Sequence, residues 1–237
     1  MTEVEPNIDN YLDNHYIQKS NWLRAAVLGA NDGILSTASI AIGVASASDN
    51  SETIVLATLA GLIAGALSMA AGKYVSVSSQ TDIEQSDIER EKKELAEMPE
   101  AELKLLAAIY EKRGLKKQTA KIVAKELTEH DALAAHVRDE LGLNEISKAK
   151  PIQAAISSCL AFISGGALPL VVVLTFPVQH LKYTLYVAAL FFLILLGIVV
   201  AKTGGSSVFK AIIRISFCGT IAIGLTAWVG HLFKITI

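Results

Sequence analysis

The chain has 237 residues, of which 52% are hydrophobic, with a mean hydropathy of +0.44 and a formal net charge of −2. That hydropathy exceeds what soluble helices with a polar face usually show, and the near-neutral charge gives no polycationic surface for nucleic acid. Beyond Glu52 every acid falls between Asp82 and Glu145, and none follows Pro151, so the chain is partitioned for two solvents, lipid and water.

Residues 1–20 are polar and read as a cytoplasmic tail or amphipathic lead-in. The apolar run from Trp22 to Ala47 ends in Ala45-Ser46-Ala47, which looks like a signal-peptidase site. The leader before it is acidic (Glu3, Glu5, Asp9, Asp13) where a signal peptide begins basic, so the run reads as a retained membrane helix. Further spans follow at 53–78, 151–175, 181–202 and 208–233. Each is near or above the roughly 20 residues that cross a hydrocarbon core of about 30 Å. A polar turn at 48–52 makes the first two spans a hairpin, Pro177 marks the turn after the third span, and Gly204-Gly205 opens the last connection. Gly165-Gly166 with Pro169 predicts a kink in the third span. The expected divisions are a tail (1–20), a membrane hairpin (21–80), a charged insert (81–149) and three spans (150–237).

Of the 21 Lys and Arg, only Lys182 and Lys234 fall on one side of a five-span threading. The positive-inside rule then puts the N-terminus and the insert in the cytoplasm. The insert has no alternating pattern and reads as helices throughout. Pro99 with Glu100 and Glu102 is a helix start, and Gly114 closes that helix. Thr128 with Asp131 resembles a capping box, and Gly142 ends the helix it opens. Leu95, Leu103, Leu106, Ile109, Leu115, Ile122, Val123 and Leu127 are the expected core. Cys159 and Cys218, both in apolar runs, are expected to be small buried hydrophobes rather than a disulfide.

Asp32 is the one acid well inside a predicted span. A charge there costs about 2.5–3.5 kcal/mol even on lenient scales, which points to an ion or proton site; the bland alternative is a packing pair with Arg24 or Asn31. Gly61, Gly65, Ser68 and Gly72 form a small-residue face for close helix approach. Met69 lies beside them. Alone it is core filler, but with a carboxylate it suits a borderline ion such as Fe²⁺ better than Mg²⁺ or Ca²⁺. Glu84, Asp87, Glu91 and Glu94 share one helix face, where like charges destabilise by about 0.2–0.5 kcal/mol per pair unless a cation binds. Glu102, and His136 with Glu140 one turn apart, are candidates to complete oxygen-and-imidazole sites. The competing reading is a solvated face balanced by Arg90, Lys92 and Lys93. His15, His130, His180 and His231 lack ligand spacing, and no phosphate loop, nucleophile elbow or catalytic cysteine pair occurs, so no enzyme is expected.

The runs Gly29-Ala30-Asn31-Asp32-Gly33, Gly65-Ala66-Leu67-Ser68-Met69-Ala70-Ala71-Gly72 and Tyr74-Val75-Ser76-Val77-Ser78-Ser79-Gln80 closely resemble the vacuolar iron transporter (VIT) family. Asp82-Ile83-Glu84, Glu89-Arg90-Glu91 and Asp139-Glu140-Leu141-Gly142 continue the likeness, which resembles bacterial members. The resemblance implies an all-α homodimer with five spans per subunit and a cytoplasmic metal-binding insert. It also implies transport of Fe²⁺ or Mn²⁺ out of the cytosol against protons. It maps the transport path to Asp32 and Met69 and cytoplasmic ligands to Glu91, Glu94, Glu102 and Glu140. It implies no bound cofactor apart from the transported metal. His136, Val137, Leu105, Asn21, Ala25 and Gly61 depart from the family's ligand positions, and Lys73 replaces a common glutamate. The short tails and missing leader favour a bacterial inner membrane. The rival expectation is a membrane-anchored metal buffer or sensor that does not transport.

Overall fold

The computed structural model describes residues 16–143 and 150–236, with side chains described for 26–143 and 150–234. Among the described residues every regular element is helical: α1 Tyr16–Ala47, α2 Ser51–Glu97, α3 Pro99–Lys112, α4 Lys117–Asp139, α5 Pro151–Thr175, α6 Val178–Thr203 and α7 Val208–Thr236. Helices α1, α2, α5, α6 and α7 are long and apolar enough to cross a membrane. The chain divides into two compact units, one running to Tyr74 and resuming at Ile152, the other Val75–Pro151. The expected lead-in falls largely outside the described residues.

Helix α1 is central to the membrane unit and packs on α6 and α7. Ile34, Ala38, Ala41, Ile42 and Ala45 recur at helical spacing, and each is at most 3% exposed. They meet Leu181, Leu185, Ala189 and Leu193, spaced by four along α6. Another face of α1 crosses α5 backbone to backbone. A Cβ on Gly33 would lie 2.1 Å from the Phe162 carbonyl oxygen, and one on Gly165 would lie 2.1 Å from that of Ala30. Helix α5 continues past Gly165, Gly166 and Pro169 as one element. These glycines serve a close crossing with α1. Large side chains such as Leu56, Phe209 and Trp228 are exposed, as lipid-facing residues are. Both cysteines are unpaired, and Cys218 is exposed rather than buried.

Asn50 accepts a hydrogen bond from the Thr53 amide at 3.0 Å, capping α2 and shortening the first connection to residues 48–50. Helix α2 has 47 residues. At about 1.5 Å per residue this is over twice the hydrocarbon thickness, so its charged C-terminal half lies outside the bilayer.

In the second unit Pro99 opens α3 behind Met98. Gly114, at φ +101, closes it through Gly114 N–H to Glu111 and Leu115 N–H to Tyr110, a Schellman ending that only glycine takes without strain. Helix α4 is interrupted at Asp131 (φ −159, ψ 94). Here the expected cap moves by three residues: Asp131 itself accepts the Ala134 N–H at 2.9 Å. Thr128 turns back and donates to the Ala124 carbonyl, because a helical hydroxyl finds that carbonyl first. The core is smaller than expected: Leu106, Ala107, Ala124 and Ala135, flanked by Leu103, Tyr110 and Leu127. Ile122 and Leu115 are exposed, since alanines are what let α3 and α4 approach closely.

The helix ends are clipped at Asp139. Tyr110 and Arg113 from the end of α3 donate to its carboxylate, and Arg138 adds a bond at 3.3 Å. Burial alone would raise the pKa of Asp139, but the bonds from Tyr110, Arg113 and Arg138 outweigh it and hold it below 3.8. A depressed carboxylate stabilises above its unfolded pKa and loses that contribution as pH falls through the folded value. Asp139→Asn is therefore expected to melt several degrees below wild type at pH 7 in detergent, with the gap closing in melts below about pH 4. In the membrane unit, Gly33→Ala is expected to cost at least 1–3 kcal/mol of stability, about the cost of overpacking. Gly72→Ala, whose Cβ meets nothing within 4 Å, is expected to leave the melt unchanged or raised.

Candidate metal centre

Helix α2 beyond its apolar half, the first turn of α3 and the last turn of α4 bring four side chains together. Glu91, Glu102, His136 and Glu140 each offer one ligand atom, and all four atoms lie within 4.8 Å of one another. His136 Nδ1 is 2.9 Å from Glu91 Oε1, 3.0 Å from Glu140 Oε2 and 3.9 Å from Glu102 Oε2. His136, Glu91 and Glu102 are 0%, 2% and 7% exposed. The Glu140 side chain reaches solvent.

The hydrogen-bonding capacity does not close. One Nδ1 proton serves one carboxylate at a time, and its hydrogen-bond geometry is met towards Glu140. Glu91 Oε1, Glu102 Oε2 and His136 Nε2 are buried without a hydrogen-bond partner. Burial, then the charge of Glu140, raises the pKa of Glu91; His136 opposes this, and Glu102 and Glu94 add to it. Unpaired buried carboxylates are costly, whereas three oxygens and an imidazole suit a first-row divalent ion. At bond lengths of about 2.0–2.2 Å opposite ligands stand roughly 4 Å apart, so a small contraction would close the set on one ion.

The remaining acids of the α2 face find other partners. Glu84 accepts from Gln80 at 2.8 Å. Arg90 sits 3.3 Å from Asp87 and 3.9 Å from Glu94. Glu94 is thus outside the quartet, and the competing reading of a balanced, solvated face describes these three acids well. The Asp139 clip beside Glu140 went unread in the sequence. Tyr110 and Arg113, one turn apart at the end of α3, were its only trace.

In the membrane unit, Asp32 and Met69 line one cavity of about 750 Å³ between α1, α2 and α5. Ser36, Gly65, Ser68 and Phe162 share its walls. Among the described residues Asp32 makes no ion pair; Arg24, the bland partner considered for it, lies outside the described side chains. The small-residue face of α2 is used at Gly61, where a Cβ would meet Ile40, and at Gly65, where it would meet the Phe162 ring, but not at Gly72. Lys73 is half-buried and has no ion-pair partner among the described residues.

Residues 23–231 match the model of the VIT family. The chain is 40% identical over 228 residues to a vacuolar iron transporter of Acanthamoeba castellanii, covering 96% of this chain and 84% of that protein. It is 32% identical to vacuolar iron transporter homolog 2.1 of Arabidopsis thaliana, over 89% of this chain and 81% of that one. It is 33% identical to vacuolar iron transporter homolog 5 of Oryza sativa, over 91% and 82%. Five apolar helices make this a multi-pass membrane protein, and its relatives are transporters rather than enzymes. The chain belongs to the VIT family.

Because Glu91 is held with a raised pKa among other carboxylates, Glu91→Gln removes repulsion while deleting a donor. Its metal-free melting temperature at pH 7 is expected to rise by a few degrees, and the further rise produced by Co²⁺ or Mn²⁺ in wild type is expected to shrink or vanish. Differential scanning fluorimetry of the detergent-solubilised chain reads both.

Proposed function

We propose that this chain transports Fe²⁺ or Mn²⁺ across its membrane, out of the cytosol and in exchange for protons. The observation that carries the reading is the cavity in which the one acid deep within a span, Asp32, faces the same space as Met69. A carboxylate in a span is more stable neutralised than bare. A proton and a metal ion neutralise it in mutually exclusive ways, which is the simplest physical basis for coupled exchange. Met69 supplies a thioether, a donor that favours borderline ions over Mg²⁺ and Ca²⁺.

The quartet of Glu91, Glu102, His136 and Glu140 captures the ion on the cytosolic side, an orientation of the N-terminus and the insert that the Lys and Arg distribution supports. Glu94 acts as a nearby charge. Homodimerisation is read from the family resemblance alone, and transport of iron also from the names of the relatives. A second reading, a buffer or sensor that does not transport, draws on one observation: the quartet is assembled wholly within the second unit. Lys73, a cation close in sequence to Met69, also favours it.

Proteoliposomes loaded with a metal-quenched dye and a pH dye separate the readings. Wild type is expected to show Fe²⁺ or Mn²⁺ flux with opposing proton movement, and Asp32→Asn to lose both at least ten-fold while still binding metal at the insert. Metal binding without flux in wild type would replace the transporter with the buffer. Flux unchanged in Asp32→Asn would remove Asp32 from the path.

A further inference from the structure

A second cavity of the membrane unit, about 490 Å³, lies between α1, α6 and α7. It starts near the bundle end that carries the Ala47–Ser51 and Thr175–Val178 connections, since Ser46 is in the last turn of α1 and Lys182 is in the second turn of α6. From that end the lining passes along α6 from Lys182 and Tyr183 to Tyr186 and, on the antiparallel α7, from Ala227 through Gly224 to Thr220, whose hydroxyl is 3.2 Å from that of Tyr186. A Cβ on Gly224 would meet nothing within 4 Å, so the middle of this cavity is open where a side chain would ordinarily fill it.

Lys182 has no counter-charge here. No Asp or Glu follows Pro151; of the two acids at this bundle end, Asp49 is held by Lys234 at 3.1 Å, and Glu52, in the first turn of α2, makes no ion pair with Lys182. Among the described residues Lys182 makes no side-chain hydrogen bond or ion pair, and neither does Tyr183. An ammonium flanked by tyrosines within two turns of a span's end sits at headgroup level, where lysine and tyrosine present polar tips above apolar bodies. A cavity with one cation at that level and a wall of Ile42, Ile223 and Gly224 below it matches a phosphate carrying an acyl chain.

We propose that this cavity binds one anionic phospholipid. Its phosphate sits at Lys182 and Tyr183, and one acyl chain lies over Gly224 towards Tyr186. A zwitterionic lipid brings its own cation to the phosphate and gains less from Lys182, so the site prefers phosphatidylglycerol to phosphatidylcholine.

The test uses the full chain in detergent, titrated with phosphatidylglycerol or phosphatidylcholine and read by native mass spectrometry and by melting temperature. Wild type is expected to hold phosphatidylglycerol about five-fold more tightly than phosphatidylcholine, the effect of one basic residue near a lipid surface. Lys182→Gln is expected to bring the two lipids to parity, and Lys182→Arg to keep the preference. Lys234→Gln, whose lysine is engaged by Asp49, is expected to change nothing. Gly224→Leu enters open space and is expected to weaken both lipids without lowering the lipid-free melt. A preference that persists in Lys182→Gln, or displacement of phosphatidylglycerol by millimolar inorganic phosphate, overturns the proposal.

Discussion

An imidazole can give one proton from Nδ1, and His136 has two carboxylates within about 3 Å of that atom and a third at 3.9 Å. Whichever carboxylate accepts it, the others are left without that bond, and buried Glu91 and Glu102 have little water to replace it. A chain selected for stability alone would replace such a group by apolar side chains of similar volume, commonly at no loss. The second unit keeps it and compensates nearby. Asp139, adjacent to Glu140 in the chain, is tied to Tyr110 and Arg113 at the end of α3. That clip holds the last turn of α4, which carries His136 and Glu140, against the repulsion within the quartet. The alanine-lined contact of α3 and α4 does the rest.

The membrane unit solves a different problem with small residues. Gly33 and Gly165 let two backbones meet with no side chain between them, so α1 is pinned against α5 on one side and against α6 and α7 on others. The remaining side of α1 carries Asp32, Ser36 and Ser39, and the opposing part of α2 carries Gly61, Ala64, Gly65 and Ser68. Short side chains on both helices leave volume unfilled, and the cavity beside Asp32 is the direct result. The glycines and serines that read as a helix-contact motif therefore have two effects. Some bring backbones together, and others keep a space open.

Much of the fold was legible because lipid imposes a coarse rule: charges leave the spans, and five apolar stretches remain. The connections followed from Pro99, Pro177 and Gly114, residues whose backbone chemistry has few other uses. What failed depended on competition between near-equal local options. Thr128 and Asp131 both resemble caps, and only the interruption of α4 selected Asp131. Ile122 and Leu115 are as apolar as any core residue, but alanines set the helix spacing and left them outside. Of the candidate ligands, the i, i+4 pair His136 and Glu140 was visible as a helix face. The approach of Glu91 and Glu102 to them is tertiary, so the residues alone left it open against a solvated, charge-balanced face, and the family resemblance added Glu91 and Glu102 as ligands. Glu94 shares the periodicity of Glu91 but faces Arg90, a difference no spacing rule can show.

The two candidate ion sites differ in donors for a reason set by their solvents. Outside the bilayer, three carboxylates can be gathered about one imidazole, one of them reaching solvent and the other two held in place by the helices around them until a cation arrives. Within a span even one carboxylate is costly, so additional affinity there has to come from a neutral donor. A thioether fits that requirement, since its sulfur is polarizable yet uncharged. On the proposed transport reading, selectivity for a borderline ion then rests on imidazole nitrogen at one site and on sulfur at the other. Hard ions such as Mg²⁺ gain from neither. An ion held by a single carboxylate and a thioether is also held less tightly than one in the quartet. Release on the far side is thereby eased, and a proton needs to displace it from only one charge.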